Sequence, residues 1–260
     1  MSNIEDVKVQ AIEASKKLND FFRDFSTEDE LDFRASFHLR PTSSGDTTIV
    51  STLKKAPMRG LQKINNNSLI EKLEKLRSAL PKLHAATDEK TNEILADIGF
   101  KNRGRENKRE EDAQAAFIRD LILCPENYDD MKFIASEFVL FDFDGVGSTK
   151  KPDVLAYKAG TLYDIELKND RIAPGGKKVS AITQAEVYSK FIHKYLDEYA
   201  ACLAKFPNNR IGNINNVRGI AYVPKAKGKS RNILETASKD KGIELWEFDD
   251  EFRLRHKYPL

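Results

Sequence analysis

Stretches of three-and-four apolar spacing and short runs of period two divide this chain unevenly. Ile4, Val7, Ala11, Ala14, Leu18, Phe21, Phe22 and Phe25 keep helical spacing. Ser26-Thr27-Glu28-Asp29-Glu30 either ends that helix or caps a short second one. Phe33 to Leu39 alternates like a strand, Pro41 to Asp46 reads as a turn, and Thr47 to Leu53 as the returning strand. Asn65-Asn66-Asn67-Ser68 predicts the cap of a helix over Leu69–Leu80, and another helix is expected from Asp88 to Ile98. Residues 1–100 thus read as a mainly helical region. It is a recognition or dimerisation module, or a decoration on the remainder of the chain.

Gly99 to Arg109 has almost no apolar content and carries Lys101, Arg103, Arg105, Lys108 and Arg109. It marks a boundary, with 101–109 a basic linker that is either simply solvated or also in contact with phosphates. From Glu110 the order of elements becomes regular. A helix runs to about Leu123, where Cys124-Pro125 stops it. Phe133 to Phe143 is rich in β-formers and leads into the loop Asp144-Gly145-Val146-Gly147-Ser148, too weak a pattern for a nucleotide loop. A hairpin, a helix carrying Gln184 and reaching about Phe206, a strand at Gly219–Val223, a helix near Asn232–Lys239 and a strand at Ile243–Phe248 complete it.

The hairpin carries the chemistry. Val154–Tyr157 and Thr161–Tyr163 flank Lys158-Ala159-Gly160, a glycine-bearing turn, and Pro152 stands at the entry, where a missing N–H does little harm. The second strand continues as Asp164-Ile165-Glu166-Leu167-Lys168. Period two puts Asp164, Glu166 and Lys168 on one face and Ile165 and Leu167 on the other. Such a hairpin brings Asp153 beside Glu166. Two converging carboxylates suit Mg²⁺ or Mn²⁺, and a neighbouring ammonium can orient water or stabilise charge building on a phosphate. Taken alone, the same residues also fit an edge strand with a solvated polar face.

Pro152-Asp153 followed by Glu166-Leu167-Lys168 resembles the PD-(D/E)xK nuclease superfamily. Gln184 and Tyr188, four apart on one helical face, resemble its fourth motif, and the order helix, three strands, helix, strand resembles its common core. The resemblance implies an α/β (α+β) fold with a restriction-endonuclease-like core over 110–260, a mixed central sheet flanked by helices. It implies that Asp153 and Glu166, with the Leu167 carbonyl, bind Mg²⁺ or Mn²⁺, and that Lys168 assists the attacking water. Gln184 and Tyr188 would position the backbone or the lysine. Glu110, with Glu111 as the other candidate, would be the further acid on the preceding helix, binding the metal or relaying to it through water. Acids in a first helical turn also simply favour the macrodipole. Within the superfamily, the chain's size and its unmatched first hundred residues resemble restriction-type or phage-defence endonucleases, the Shedu-like group included.

Charge and composition refine this only a little. Forty-three Lys and Arg against forty-one Asp and Glu give a net charge of +2, so nucleic acid is not announced globally and the clusters matter. Arg171, Lys177 and Lys178 surround Pro174-Gly175-Gly176 just after the motif strand; Lys225, Lys227, Lys229 and Arg231 follow Val223-Pro224 without an intervening acid. Two such loops beside one site form a candidate phosphate-tracking surface for DNA, with RNA as the other polymer. Cys124 and Cys202 lack metal spacing and fit buried thiols in a reducing cytoplasm. His38 and His84 have no second ligand nearby, so neither is expected to serve a metal. No basic leader precedes an apolar run and no apolar run is long enough to span a bilayer, so neither export nor membrane insertion is expected. Cutting both strands would favour a homo-oligomer. A non-catalytic DNA-binding or interaction protein on the same scaffold, and a repair or recombination exonuclease, remain open.

Overall fold

The computed structural model describes residues 16–41, 47–53, 59–64, 68–100, 108–138, 151–168, 181–203 and 211–260. The fold is mixed α/β, and the described residues form two sheets. The larger contains β4 (Lys132–Ser136), β5 (Val154–Lys158), β6 (Thr161–Leu167), β7 (Asn216–Pro224), β8 (Glu244–Phe248) and β9 (Leu254–Tyr258), side by side in chain order. β4, β5 and β6 pair antiparallel, β6–β7 and β7–β8 parallel, and β9 closes the edge antiparallel. Parallel neighbours need long crossovers. Helices α6 (Ala181–Lys194) and α7 (Leu196–Leu203) supply the first, and α8 (Lys229–Lys241) the second.

Alternation along the strands divides their side chains between two cores. Val154, Ala156, Ile165, Leu167, Ile220, Tyr222, Trp246 and Phe248 pack with Ala113, Phe117, Ile118 and Leu121 of α5 (Lys108–Leu123). On the other face, Leu155, Tyr157 and Leu162 meet Ile192, Tyr199 and Leu203, while Ala221, Val223 and Leu245 meet Ala181, Ile182, Ala185 and Leu234. Helices therefore flank both faces of the sheet.

The β5–β6 hairpin forms as its sequence leads one to expect. Ala159 and Gly160 both take positive φ (46° and 84°), the geometry that matches strand twist in a two-residue turn. The order α5, β4, β5, β6, α6, β7 also agrees with the expected one. The helix expected to reach Phe206 instead breaks at Tyr195. β4 spans Lys132–Ser136, with Glu137 at φ 45°; Phe141, Phe143 and the Gly145–Gly147 loop lie outside the described residues.

The first hundred residues hold more than helices. Residues 16–22 form α1, followed by α2 (Thr27–Ser36), a meander β1 (Phe37–Pro41), β2 (Thr47–Ser51) and β3 (Arg59–Ile64), then α3 (Leu69–Ala85) and α4 (Asp88–Asp97). The strand expected from Phe33 starts only at Phe37. Ser26 caps α2 by accepting from the Asp29 N–H at 3.1 Å, acids fill its first turn, and Arg34 pairs with Glu30 one turn away. Phe33 then joins Phe21, Phe22 and Phe25 in an edge-on aromatic cluster. Ser68, expected to cap α3, makes no side-chain cap bond. This half packs on the other: α2 lies against α5, β1 meets β4, and buried His38 hydrogen-bonds Ser136. His84 pairs with Asp32, Cys124 is half-buried, and the Cys202 side chain and linker residues 101–107 lie outside the described residues.

Gly219 of β7 sets how closely α6 approaches the sheet. A Cβ there would meet Ile243 Cδ1 at 2.5 Å and the Ala185 carbonyl oxygen at 3.0 Å. The second contact is helix backbone and cannot rotate away. Gly219→Val is therefore expected to lower stability by about 1–3 kcal/mol, read as a shifted denaturant midpoint. An unchanged midpoint would show that α6 can lift without cost.

Candidate active site

The site is assembled at the end of the hairpin away from its turn. Register Val154↔Ile165 places Asp153, just before β5, opposite Glu166, near the end of β6. Main-chain donors then clasp the two carboxylates reciprocally. The Asp153 N–H donates to Glu166 Oε1 at 3.2 Å, and the Leu167 N–H donates to Asp153 Oδ2 at 2.8 Å. The Asp153 carbonyl accepts twice, from Gln114 Nε2 at 2.7 Å and from the Glu137 N–H at 3.2 Å. Asp153 is thus held by α5, β4 and β6 together. In an antiparallel ladder the N–H and C=O of one residue point the same way, so the Leu167 carbonyl is turned to the Asp153 side.

Lys168 comes directly after the end of β6, its N–H bonded to the Tyr222 carbonyl at 3.2 Å. Its Nζ donates to Glu110 Oε1 at 2.6 Å. Of the two acids considered at the start of α5, it is Glu110 whose carboxylate meets the lysine. α5 therefore reaches the site twice in successive turns, through Glu110 and Gln114.

The polar face of β6 is not solvated, contrary to the edge-strand alternative. Asp164 is fully buried and Glu166 is 1% exposed, because α6 covers that face. Burial and neighbouring acids shape the protonation of this centre. Burial pushes the Asp153 carboxyl up to about 7; Lys168 and the Leu167 N–H pull against it, while Glu110 and Glu137 add to it. Glu166 is held well above its ordinary range by burial, then by the charges of Asp153 and Asp164. Burial works against the charge on Lys168, yet Asp153, Glu110 and Glu166 outweigh it and raise its pKa. The result is an ammonium that stays charged beside carboxyl groups that are costly to ionise without a cation.

Gln184 and Tyr188 ride on the covering helix α6, both half-buried. The Tyr188 hydroxyl is raised first by burial and then by Glu166, with Gln184 as its hydrogen-bonding neighbour. Both face the carboxylate side of the site. Lys225, Lys227 and Lys229 are exposed. The parallel register Leu167↔Tyr222 makes the segment after β7 leave the sheet at the same end as Lys168. Arg231 is different from the expected phosphate contact: its guanidinium bonds Glu235 at 2.7 Å and the Tyr258 hydroxyl. Arg171, Lys177 and Lys178 lie outside the described residues.

Two participants escaped the sequence reading. Gln114 carried no signal beyond standing one turn after Glu110. Asp164 stood in plain view in the Asp-x-Glu-x-Lys alternation, but only the cover of α6 distinguishes a buried acid from a surface one. Among the described residues no cluster of three or more His, Cys, Asp or Glu side chains forms a ready-made metal cage. What is present is a pair of hard carboxylates, Asp153 and Glu166, whose raised pKa values a divalent cation would relieve. That donor set fits Mg²⁺ or Mn²⁺. No described helix is long and apolar enough to cross a membrane. No family model, curated protein or solved structure matches this chain.

Proposed function

We propose that this protein is a Mg²⁺- or Mn²⁺-dependent nuclease that hydrolyses phosphodiester bonds of DNA, an endonuclease of restriction or phage-defence type. The observation that carries this reading is the clasped pair Asp153–Glu166 with a charged Lys168 at its edge. A bound cation would polarise the phosphate and lower the pKa of water. Asp153, Glu166 and the Leu167 carbonyl would hold it, kept in place by the main-chain N–H groups of Asp153 and Leu167.

Lys168 is too firmly protonated to accept a proton near neutral pH, so its part is that of a donor. It faces the attacked phosphate, orients water and stabilises the added negative charge. Glu110 fixes the lysine's position. Gln184 and Tyr188 approach from α6 and position the DNA backbone. Lys225, Lys227 and Lys229 offer exposed charge along its path, which makes binding salt-dependent.

Supercoiled plasmid and a linear duplex, each with Mg²⁺, with Mn²⁺ and with a chelator, test the proposal. The expected outcome is metal-dependent cutting of both, abolished in Asp153→Ala. Cutting of the linear form alone would assign an end-dependent exonuclease. A gel shift with no cutting in either metal would favour a binding module and sink the catalytic reading.

A further inference from the structure

We propose that Asp164 is a positioning residue of the cation centre, a buried carboxylate that acts through Glu166 to raise the centre's affinity for a divalent cation. This rests on the assignment of that cation to Asp153 and Glu166.

Asp164 is 0% exposed, and among the described residues neither of its carboxylate oxygens completes a hydrogen bond. Its neighbours across the sheet are Leu155 on β5 and Gly219 on β7, and neither side offers a side-chain donor. Above it lies α6, where the buried Gln184 Oε1 is likewise an acceptor without a partner. Glu166 stands two residues along β6 and so on the same face. The Glu166 carboxyl and the Ser189 main chain are the nearest polar neighbours of Asp164 among the described residues. The layer between β6 and α6 therefore holds two buried carboxylates, Asp164 and Glu166, on one face of the strand.

Nothing in the packing of the described residues favours such an arrangement. Burying a carboxylate that lacks a full partner is strongly unfavourable, and a leucine or asparagine would fill the space at lower cost. Negative charge behind Glu166 becomes favourable only when positive charge arrives in front of it. A divalent cation held by Asp153 and Glu166 meets that condition. Carboxylates behind first ligands raise ligand basicity and fix orientation, and their loss typically costs about 10–100-fold in metal affinity.

The test is Mn²⁺ titration by calorimetry, without DNA, on the parent chain, Asp164→Asn and Asp164→Glu, with melting temperatures in chelator. Asp164→Asn is expected to bind Mn²⁺ about 10–100-fold more weakly while remaining cooperatively folded in chelator, as its melting curve would show. Asp164→Glu should retain part of the affinity. Should Asp164→Asn fail to fold, Asp164→Ala replaces it with the same expected loss. Parent-like Mn²⁺ affinity in a folded neutral variant would overturn the proposal and leave Asp164 sharing a proton with Glu166 only. If the parent binds Mn²⁺ but cuts no DNA, the nuclease reading falls and the role of Asp164 stands. If the parent binds no Mn²⁺, both fall.

Discussion

Lys168→Ala is expected to slow DNA cleavage about 10²–10³-fold, the usual loss when a preorganised donor to a developing negative charge is removed. Its melting temperature should fall only modestly by comparison. The two effects separate because they come from different interactions. The Lys168–Glu110 pair is about one-quarter exposed on each side, so breaking it costs more than the loss of a surface pair and less than the about 3–5 kcal/mol of a fully buried one. In the reaction the same ammonium faces a charge that water is poorly placed to screen. Lys168 also holds down the Asp153 carboxyl, so its removal drives Asp153 further toward the protonated form. The residual activity of Lys168→Ala should accordingly recover as pH rises. Glu110→Gln keeps the lysine and loosens its position, and a smaller loss, about 10-fold, is expected. Cleavage by Lys168→Ala at the parent rate would remove the lysine from the mechanism.

How much of the fold and site is legible in the sequence depends on whether the information is local. The β5–β6 hairpin is, because Ala159-Gly160 and the alternation on either side specify turn, register and the Asp153–Glu166 juxtaposition within sixteen residues. The choice between Glu110 and Glu111 stays open in the sequence, because both stand in the first turn of α5; only the contact with Lys168 singles out Glu110. The strand assigned from Phe33 fails because period two and the last turn of a capped helix look alike over four residues. Ser26 and the Glu30–Arg34 pair decide for helix. β9 escapes notice because Leu254–Tyr258 is a half-exposed edge strand with little apolar content. The charge of Arg231 looks available to phosphate, but Glu235 lies one helical turn away and Tyr258 arrives from that unforeseen strand. The burial of Asp164 and Glu166 is the hardest to see. It results from how near α6 lies to β7, which Gly219 permits, and nothing adjacent to those acids in sequence reports it.

That burial has a consequence for stability. In chelator, the protein is expected to lose stability as pH rises from about 4 to about 7 and to regain it when Mg²⁺ or Mn²⁺ is added. Asp153 releases its proton near 3.8 in an ordinary environment and near 7 in the fold. Between those values the folded state keeps a proton that the unfolded chain has given up, so the unfolded state binds fewer protons and stability falls with pH. The contribution is fully present below the lower value and gone above the upper one. Glu166 and Asp164 are raised as well and act in the same direction. A cation competes with those protons, so the melting-temperature increase on adding Mn²⁺ should be small at about pH 5.5 and much larger at about pH 8. Melting curves of the parent and of Asp153→Asn across that range isolate the contribution of Asp153, because the asparagine keeps the shape and removes that one titrating group. A parent that is equally stable at both ends of the range and indifferent to Mn²⁺ at the upper end would mean that these acids do not form a cation site. A falling profile rescued by Mn²⁺ in the parent, and both shallower and less responsive to Mn²⁺ in Asp153→Asn, would tie the burial beneath α6 directly to metal binding.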